Sequence, residues 1–107
     1  MRMWNVDPRF LCRKHLLGEH VEMHMFLGSI LKGKSMRGFI EKGLVEIHNI
    51  KLRHHQLKNE MIDRGMNHKS DLPDCNLWTE GKVDSFDNID ELIKRCPDCK
   101  KRIYEYL

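Results

Sequence analysis

The chain has no run of apolar residues near the roughly 18 that a membrane span needs, and its opening Met1-Arg2-Met3-Trp4-Asn5 has no apolar signal core. Those two absences predict a cytoplasmic protein without a membrane partner. There is no internal repeat, which excludes a solenoid, and no low-complexity tract, which excludes a disordered tail. Prolines number only three, so long helical stretches are free to form. The 107 residues allow one small domain, predicted to be a monomer. With 40% hydrophobic and 33% charged residues, it is a folded chain with a lean core.

The net charge of +3 conceals a division. Residues 1–70 carry 13 Lys and Arg against 7 Asp and Glu, residues 71–91 carry seven acids and only Lys82, and residues 92–107 return to a balance of +3. The sequence therefore divides into a basic helical body over 1–70, an acidic irregular segment over 71–91, and a short helix with a Cys-x2-Cys tail over 92–107. A basic body suits a polyanion such as DNA, although solvated lysine explains a balance of this size equally well.

Asp7-Pro8 is a helix start: Asp caps free backbone N–H groups, and Pro fits the first turn, where its missing N–H costs nothing. The spacing predicts a helix over 8–31 with Leu11, Cys12, Leu16, Met23, Phe26, Leu27 and Ile30 in one apolar arc, and with Arg13, Lys14, His20 and His24 on the other side. A basic glycine-punctuated loop follows at 32–38. A second helical stretch runs to Arg64, interrupted near Gly43, with Leu44, Val45, His48, Leu52, His55 and Ile62 on one face and Gly65 as its stop. Beyond it, Leu72, Leu77, Trp78 and Phe86 are the expected anchors of irregular chain, Asn88 the expected cap of a short helix to about Arg95, and Cys96-Pro97-Asp98-Cys99 a turn into the tail. The predicted fold is mainly α, a compact single-domain helical fold whose long N-terminal helix crosses the core.

His15, Glu19 and Glu22 fall in the middle of the apolar arc, at a spacing that places them on one stripe. A buried carboxylate without a partner costs several kcal/mol, on the order set by its lost solvation. These residues therefore form either a structural network neutralised by His15 and an arginine, or a wet cleft where a carboxylate performs acid, base or electrostatic work.

Met1-Arg2, His15-Leu16-Leu17-Gly18-Glu19-His20-Val21-Glu22 and Asp63-Arg64-Gly65-Met66-Asn67-His68-Lys69 together resemble the pyrimidine-dimer DNA glycosylase family, the endonuclease V type. The likeness is strongest over the first helix and fades after about Ser70. It implies a DNA repair glycosylase with AP-lyase activity, in which the N-terminal α-amine attacks C1′ of a damaged nucleotide and forms an imine. By position, that amine belongs to Met1, which the bulky Arg2 should help retain, and Glu22 is the assisting carboxylate. The choice of group makes chemical sense, because an α-amine titrates about 2.5 units below a lysine and is far more often the free nucleophile at neutral pH.

The same resemblance makes His15 and Glu19 supporting pocket residues and Arg2 a DNA contact at the lesion. Relatives carry DNA-gripping arginines where this chain has Val21 and Met25. Arg13, Lys14, Lys32, Lys34, Arg37, His68 and Lys69 are the remaining candidates for phosphate contacts. Tyr104 and Tyr106 more often pack in a core than stack on bases.

Cys96 and Cys99 have metal-ligand spacing, and Cys75 or His68 is placed to complete a structural zinc site, but a second Cys-x2-Cys is lacking. Free thiols are the simpler reading, with Cys12 a small core residue. His20 with His24, and His48 with His55, read as surface or core histidines. The expectation is thus an enzyme without a cofactor, a structural zinc being the one candidate. The alternative is a noncatalytic nucleic-acid-binding module of the same fold, stapled by a Cys-based zinc site. A histidine-based metal enzyme is the weakest reading, for want of complete ligand spacing.

Overall fold

Asp7 and Pro8 do start a helix, but only a single 3-10 turn over Pro8–Phe10, with the Asp7 carboxylate accepting from the Arg9 N–H at 3.0 Å. In this computed structural model, which describes residues 1–68 and 70–107, Leu11 and Cys12 are extended, and helix α1 runs over Arg13–Leu31. The long helix thus begins five residues later than its sequence signal. Cys12 is the cause: its buried sulfur accepts from the His15 N–H at 3.5 Å and caps α1 itself. The Arg64 guanidinium takes up the freed carbonyls of Pro8 and Leu11 at 3.1 and 2.8 Å, so the break leaves neither oxygen without a donor.

Four further helices follow: α2 (Arg37–Glu41), α3 (Ile50–Asp63), α4 (Ser85–Arg95) and α5 (Pro97–Tyr106), with a 3-10 turn at Ile47–Asn49 before α3. The interruption near Gly43 and the stop at Gly65 fall where the sequence puts them, both glycines at positive φ, 69° and 77°. α1 lies along α3, and α5 packs on the first 3-10 turn. Leu16, Met23, Phe26 and Leu27 of α1 meet Ile50, Leu57 and Met61 of α3, with Leu92 and Ile103 closing the core from α4 and α5. A fully buried side chain of this size contributes about 1.5–3 kcal/mol, so α1 does cross the core as its apolar arc predicts.

The face of α3 is a correction. Ile50, Arg53, His54, Leu57 and Met61 point inward, while Leu52, His55 and Ile62 lie outside and His48 is exposed. The periodicity misleads because Arg53 and His54, polar by type, find partners inside.

The chain from 66 to 84 contains no regular element among the described residues. Leu72 and Leu77 anchor it as expected, but Trp78 (44% exposed) and Phe86 (82% exposed) stand in solvent. The Ile47 N–H donates to the Glu80 carbonyl at 2.9 Å, and the Val83 N–H to a Glu46 carboxylate oxygen at 2.8 Å. Residues 85–91 are helical, so the irregular segment ends earlier than its acidity suggests. Asp84, not Asn88, caps α4, and the Cys-x2-Cys turn is the start of α5, with Cys96 as cap and Pro97 in its first turn. Tyr104 and Tyr106 stay exposed. No helix among the described residues is long and apolar enough to cross a membrane.

Candidate active site and metal centre

Chain termini usually fray, yet the first six residues here run through the interior. The Met3 N–H donates to the Leu44 carbonyl at 2.7 Å, the Trp4 N–H to Glu19 Oε2 at 3.1 Å, and Asn88 Nδ2 to the Trp4 carbonyl at 2.7 Å. Ser85 Oγ donates to the Asn5 carbonyl at 2.7 Å, and Met3, Trp4 and Val6 are buried. This tethering sets the Met1 amine 3.9 Å from Glu22 Oε1 on α1.

The two glutamates of the stripe part company in their surroundings. Glu19 is fully enclosed and grips Arg53 bidentately, Nε to Oε2 at 2.6 Å and Nη2 to Oε1 at 2.9 Å, while Arg53 Nη1 donates to the Val6 carbonyl at 2.6 Å. Its counter-ion comes from α3, not from His15. Glu22 keeps 29% of its side chain exposed and faces the Met1 amine and the Arg2 backbone N–H. Burial pushes the Glu22 carboxyl above its usual range, against the downward pull of the Met1 ammonium and the Arg2 backbone N–H. Glu22 thus has no committed side-chain partner of that kind among the described residues, whereas Glu19 is committed to the Arg53 pair.

Both border a cleft of about 260 Å³ whose other walls are Arg2, Trp4, Lys14, His15, Gly18 and Arg95. The Arg2 guanidinium lies 3.8 Å from the centre of the Trp4 ring and donates to Asn88 Oδ1 at 2.7 Å, and its buried Nε has no partner among the described residues. Burial, then the nearby Arg95 charge, lower the Arg2 pKa. Arg95 and Trp4 are the cleft residues that sequence reasoning misses. Neither belongs to a recognisable spacing, since Arg95 reaches the cleft only through the fold of α4.

Of the other candidate cations, Arg13 is exposed but outside the cleft, and Lys32, Lys34 and Arg37 follow the far end of α1. Val21 and Met25 are exposed on α1. His68 is turned inward, its side chain 3% exposed, which removes it from a phosphate-facing surface. Lys69 lies outside the described residues.

The zinc expectation is half corrected. Cys96 and Cys99 do belong to a metal-competent cluster, but their companions are Cys12 and His15, all four ligand atoms lying within 4.8 Å of one another. Cys75 lies elsewhere and His68 joins other histidines. The Cys12 Sγ to His15 Nδ1 distance is 3.2 Å, Cys99 Sγ to His15 Nδ1 is 3.4 Å, and Cys12 Sγ to Cys96 Sγ is 3.9 Å. Around a tetrahedral zinc with bonds of about 2.0–2.3 Å, ligand atoms stand roughly 3.5–3.8 Å apart. Backbone N–H groups of Cys12 and Cys99 already point at Cys99 Sγ and Cys96 Sγ, at 3.2 and 3.4 Å, as donors to a thiolate would. Burial pushes the Cys99 thiol up to about 12. The pattern is Cys-x2-His followed by Cys-x2-Cys, legible only once the first half is allowed a histidine.

His20 is a further correction. It is buried, not on an outer face, and lies with His24, His54 and His68 in one group between α1, α3 and the chain after α3. Burial, reinforced by neighbouring histidines, lowers His20 and His54 to about 4, so both are neutral at pH 7.

A mainly helical fold thus holds the N-terminal α-amine 3.9 Å from a half-buried carboxylate that borders an open cleft. The profile of the pyrimidine dimer DNA glycosylase family matches residues 1–74, and the chain belongs to that family. No curated protein and no solved structure matches the chain. Arg95, Asn88, Cys96 and Cys99 all come from beyond the matched segment, so the last third supplies a cleft wall, a clamp on Arg2 and half of the thiol cluster.

Proposed function

We propose that the protein is a DNA glycosylase with AP-lyase activity, acting on a pyrimidine dimer or another modified base through the Met1 amine. The single observation that carries this reading is the 3.9 Å approach of the Met1 nitrogen to Glu22 Oε1, with a cleft beside it. The free amine donates its lone pair to C1′ to form the new N–C bond, while the glycosidic bond breaks and the base leaves with that bond's own electron pair. Loss of the second amine proton and opening of the sugar ring give an imine between Met1 and C1′. Glu22 stabilises the positive sugar and relays protons. Abstraction of a C2′ proton then expels the 3′ phosphate by β-elimination, and water hydrolyses the imine to free the amine. Arg2, Lys14 and Arg95 neutralise phosphates around the lesion.

Borohydride trapping tests this directly. Untagged protein should form a covalent adduct with abasic or dimer-containing DNA, and both Glu22→Gln and a residue added before Met1 should abolish it. An untrapped wild type, with Glu22→Gln indistinguishable from it, overturns the proposal.

A second reading is favoured by the Cys12-His15-Cys96-Cys99 cluster: a noncatalytic nucleic-acid-binding module of the same fold, stapled by zinc. His15 lines the cleft and belongs to the cluster, so a metal there would fix the cleft wall in either case. DNA binding without trapping, in protein that holds one zinc at the cysteines, is the result this reading expects.

A further inference from the structure

The four histidines between α1 and α3 are not explained by the amine chemistry. His20 and His24 are one turn apart on α1, His54 projects from α3, and His68 folds back from the chain after α3. Their ring nitrogens converge: His20 Nε2 to His68 Nε2 is 2.7 Å, and His54 Nε2 to His24 Nε2 is 3.1 Å. Ring centroids in the group are 4.7–5.2 Å apart. Ligand atoms of His20, His54 and His68 all fall within 4.8 Å of one another. With metal–nitrogen bonds of about 2.0–2.1 Å, tetrahedral ligand nitrogens stand roughly 3.3 Å apart, so the His20–His68 and His54–His24 pairs need to open by only a few tenths of an ångström, while His24, outside the set of three, must swing toward the others to serve as a fourth ligand.

The outward-facing side supports the same conclusion. His68 Nδ1 lies 3.9 Å from Asp71 Oδ1, which is itself held by Lys58 Nζ at 2.9 Å. A carboxylate behind a ring whose other nitrogen faces the ligand point is the common arrangement of a metal-bound histidine. The ligand atoms grouped there among the described residues are all imidazole nitrogens, which disfavours calcium and magnesium and suits zinc and its first-row neighbours. A cavity of about 220 Å³, bordered by His54, Lys58 and Asp71, gives an ion a route in from solvent.

We propose that His20, His54 and His68, with His24 swinging in as the fourth ligand, form a binding site for a divalent first-row transition ion of the zinc type, distinct from the Cys12-His15-Cys96-Cys99 cluster. The ion would pin α1, α3 and the chain near residue 68 to one point, beside the end of the family-matched segment. It stands independently of the proposed lyase activity.

The test uses the full-length chain, freed of metal with a chelator and titrated with Zn²⁺ alone while ¹⁵N-detected histidine resonances are followed. Saturation should move the ring nitrogens of all four histidines to metal-bound positions with Nδ1 protonated, while His48 and His55 stay unmoved. Mass spectrometry under native conditions should show that His24→Gln with His68→Gln loses one ion and keeps the thiolate-to-cobalt absorption when Co²⁺ replaces zinc. Should the double variant fail to fold, the wild-type titration decides alone. Ring resonances of these four histidines unchanged by Zn²⁺ overturn the site and leave a neutral imidazole cluster.

Discussion

The Arg53 guanidinium and the Glu19 carboxylate meet in the interior at 2.6 Å, 34 residues apart, with side chains 2% and 0% exposed. Removing one member strands the other charge. Either Glu19→Ala or Arg53→Ala should therefore cost about 3–5 kcal/mol, measured as a fall in the urea midpoint. Because Glu19 also accepts from Trp4 and Arg53 donates to Val6, the N-terminal segment should loosen as well. Adduct formation should then fall at temperatures where the variants remain folded, although neither residue touches the sugar.

Glu22→Gln separates function from stability. The Glu22 carboxyl is raised in the fold, chiefly by burial, so the folded state holds its proton at pH values where the unfolded chain has released it. Stability contributed by this group is present at low pH and is lost as pH rises from the ordinary glutamate value through the raised one. At pH 7 the neutral amide should be as stable as wild type or more so, and any advantage should shrink as pH falls below the ordinary glutamate range. Thermal unfolding at several pH values checks this. A variant that is inactive in trapping and not destabilised marks Glu22 as a chemical rather than a structural group.

Much of this was legible in the sequence. The apolar arc of α1 and the glycine stops report local preferences, which a linear pattern carries faithfully. The stripe of His15, Glu19 and Glu22 was readable as a polar intrusion into a core face, and the family resemblance singled out Glu22 as the expected assisting carboxylate. What escaped was set by distant partners. Arg53 and His54 turned α3 toward residues on α1, Cys12 broke a helix to join thiols 84 and 87 positions away, and Arg95 entered the cleft from outside the family segment. A one-dimensional period treats such side chains as polar and turns them outward, because their partners lie beyond any window.

Gly81 is a residue whose need is purely steric. Its φ is 95°, and a Cβ there would lie 2.2 Å from the Val45 carbonyl oxygen, where the acidic segment crosses the chain before α3. Backbone cannot give way as a flexible side chain does. Gly81→Ala should destabilise the fold by at least about 1–3 kcal/mol and expose the 66–84 segment to limited proteolysis. Gly18→Ala, with open space around its Cβ position, should be tolerated.

Metal removal gives a prediction at the thiol cluster. If Cys12, His15, Cys96 and Cys99 hold zinc, they tie the start of α1 to the start of α5, and the binding free energy adds to folding free energy. Chelator treatment should lower the melting temperature of wild type and restore it on zinc addition. Cys99→Ser should melt lower and lose the part of the chelator response that the thiol cluster supplies, keeping only what an ion at the histidines adds, whereas Cys75→Ser should behave as wild type, since its sulfur is outside the cluster.

The cations should divide by place. Lys14 and Arg95 border the cleft, while Lys32, Lys34 and Arg37 lie at or beyond the far end of α1, with Lys32 ten residues past Glu22 and so roughly 15 Å along the axis at 1.5 Å per residue. Each phosphate contact contributes about 0.9 to the slope of log affinity against log salt. On a short duplex centred on an abasic site, Lys14→Ala and Arg95→Ala should each lower that slope by about one, measured by fluorescence anisotropy from low to moderate salt. Replacing Lys32, Lys34 and Arg37 together should leave the short-duplex slope unchanged and reduce it only on longer DNA, because the loop then meets phosphates a helical length away from the lesion. An equal loss on both duplexes would place the loop at the lesion itself and count against a lesion held between the Met1 amine and Glu22.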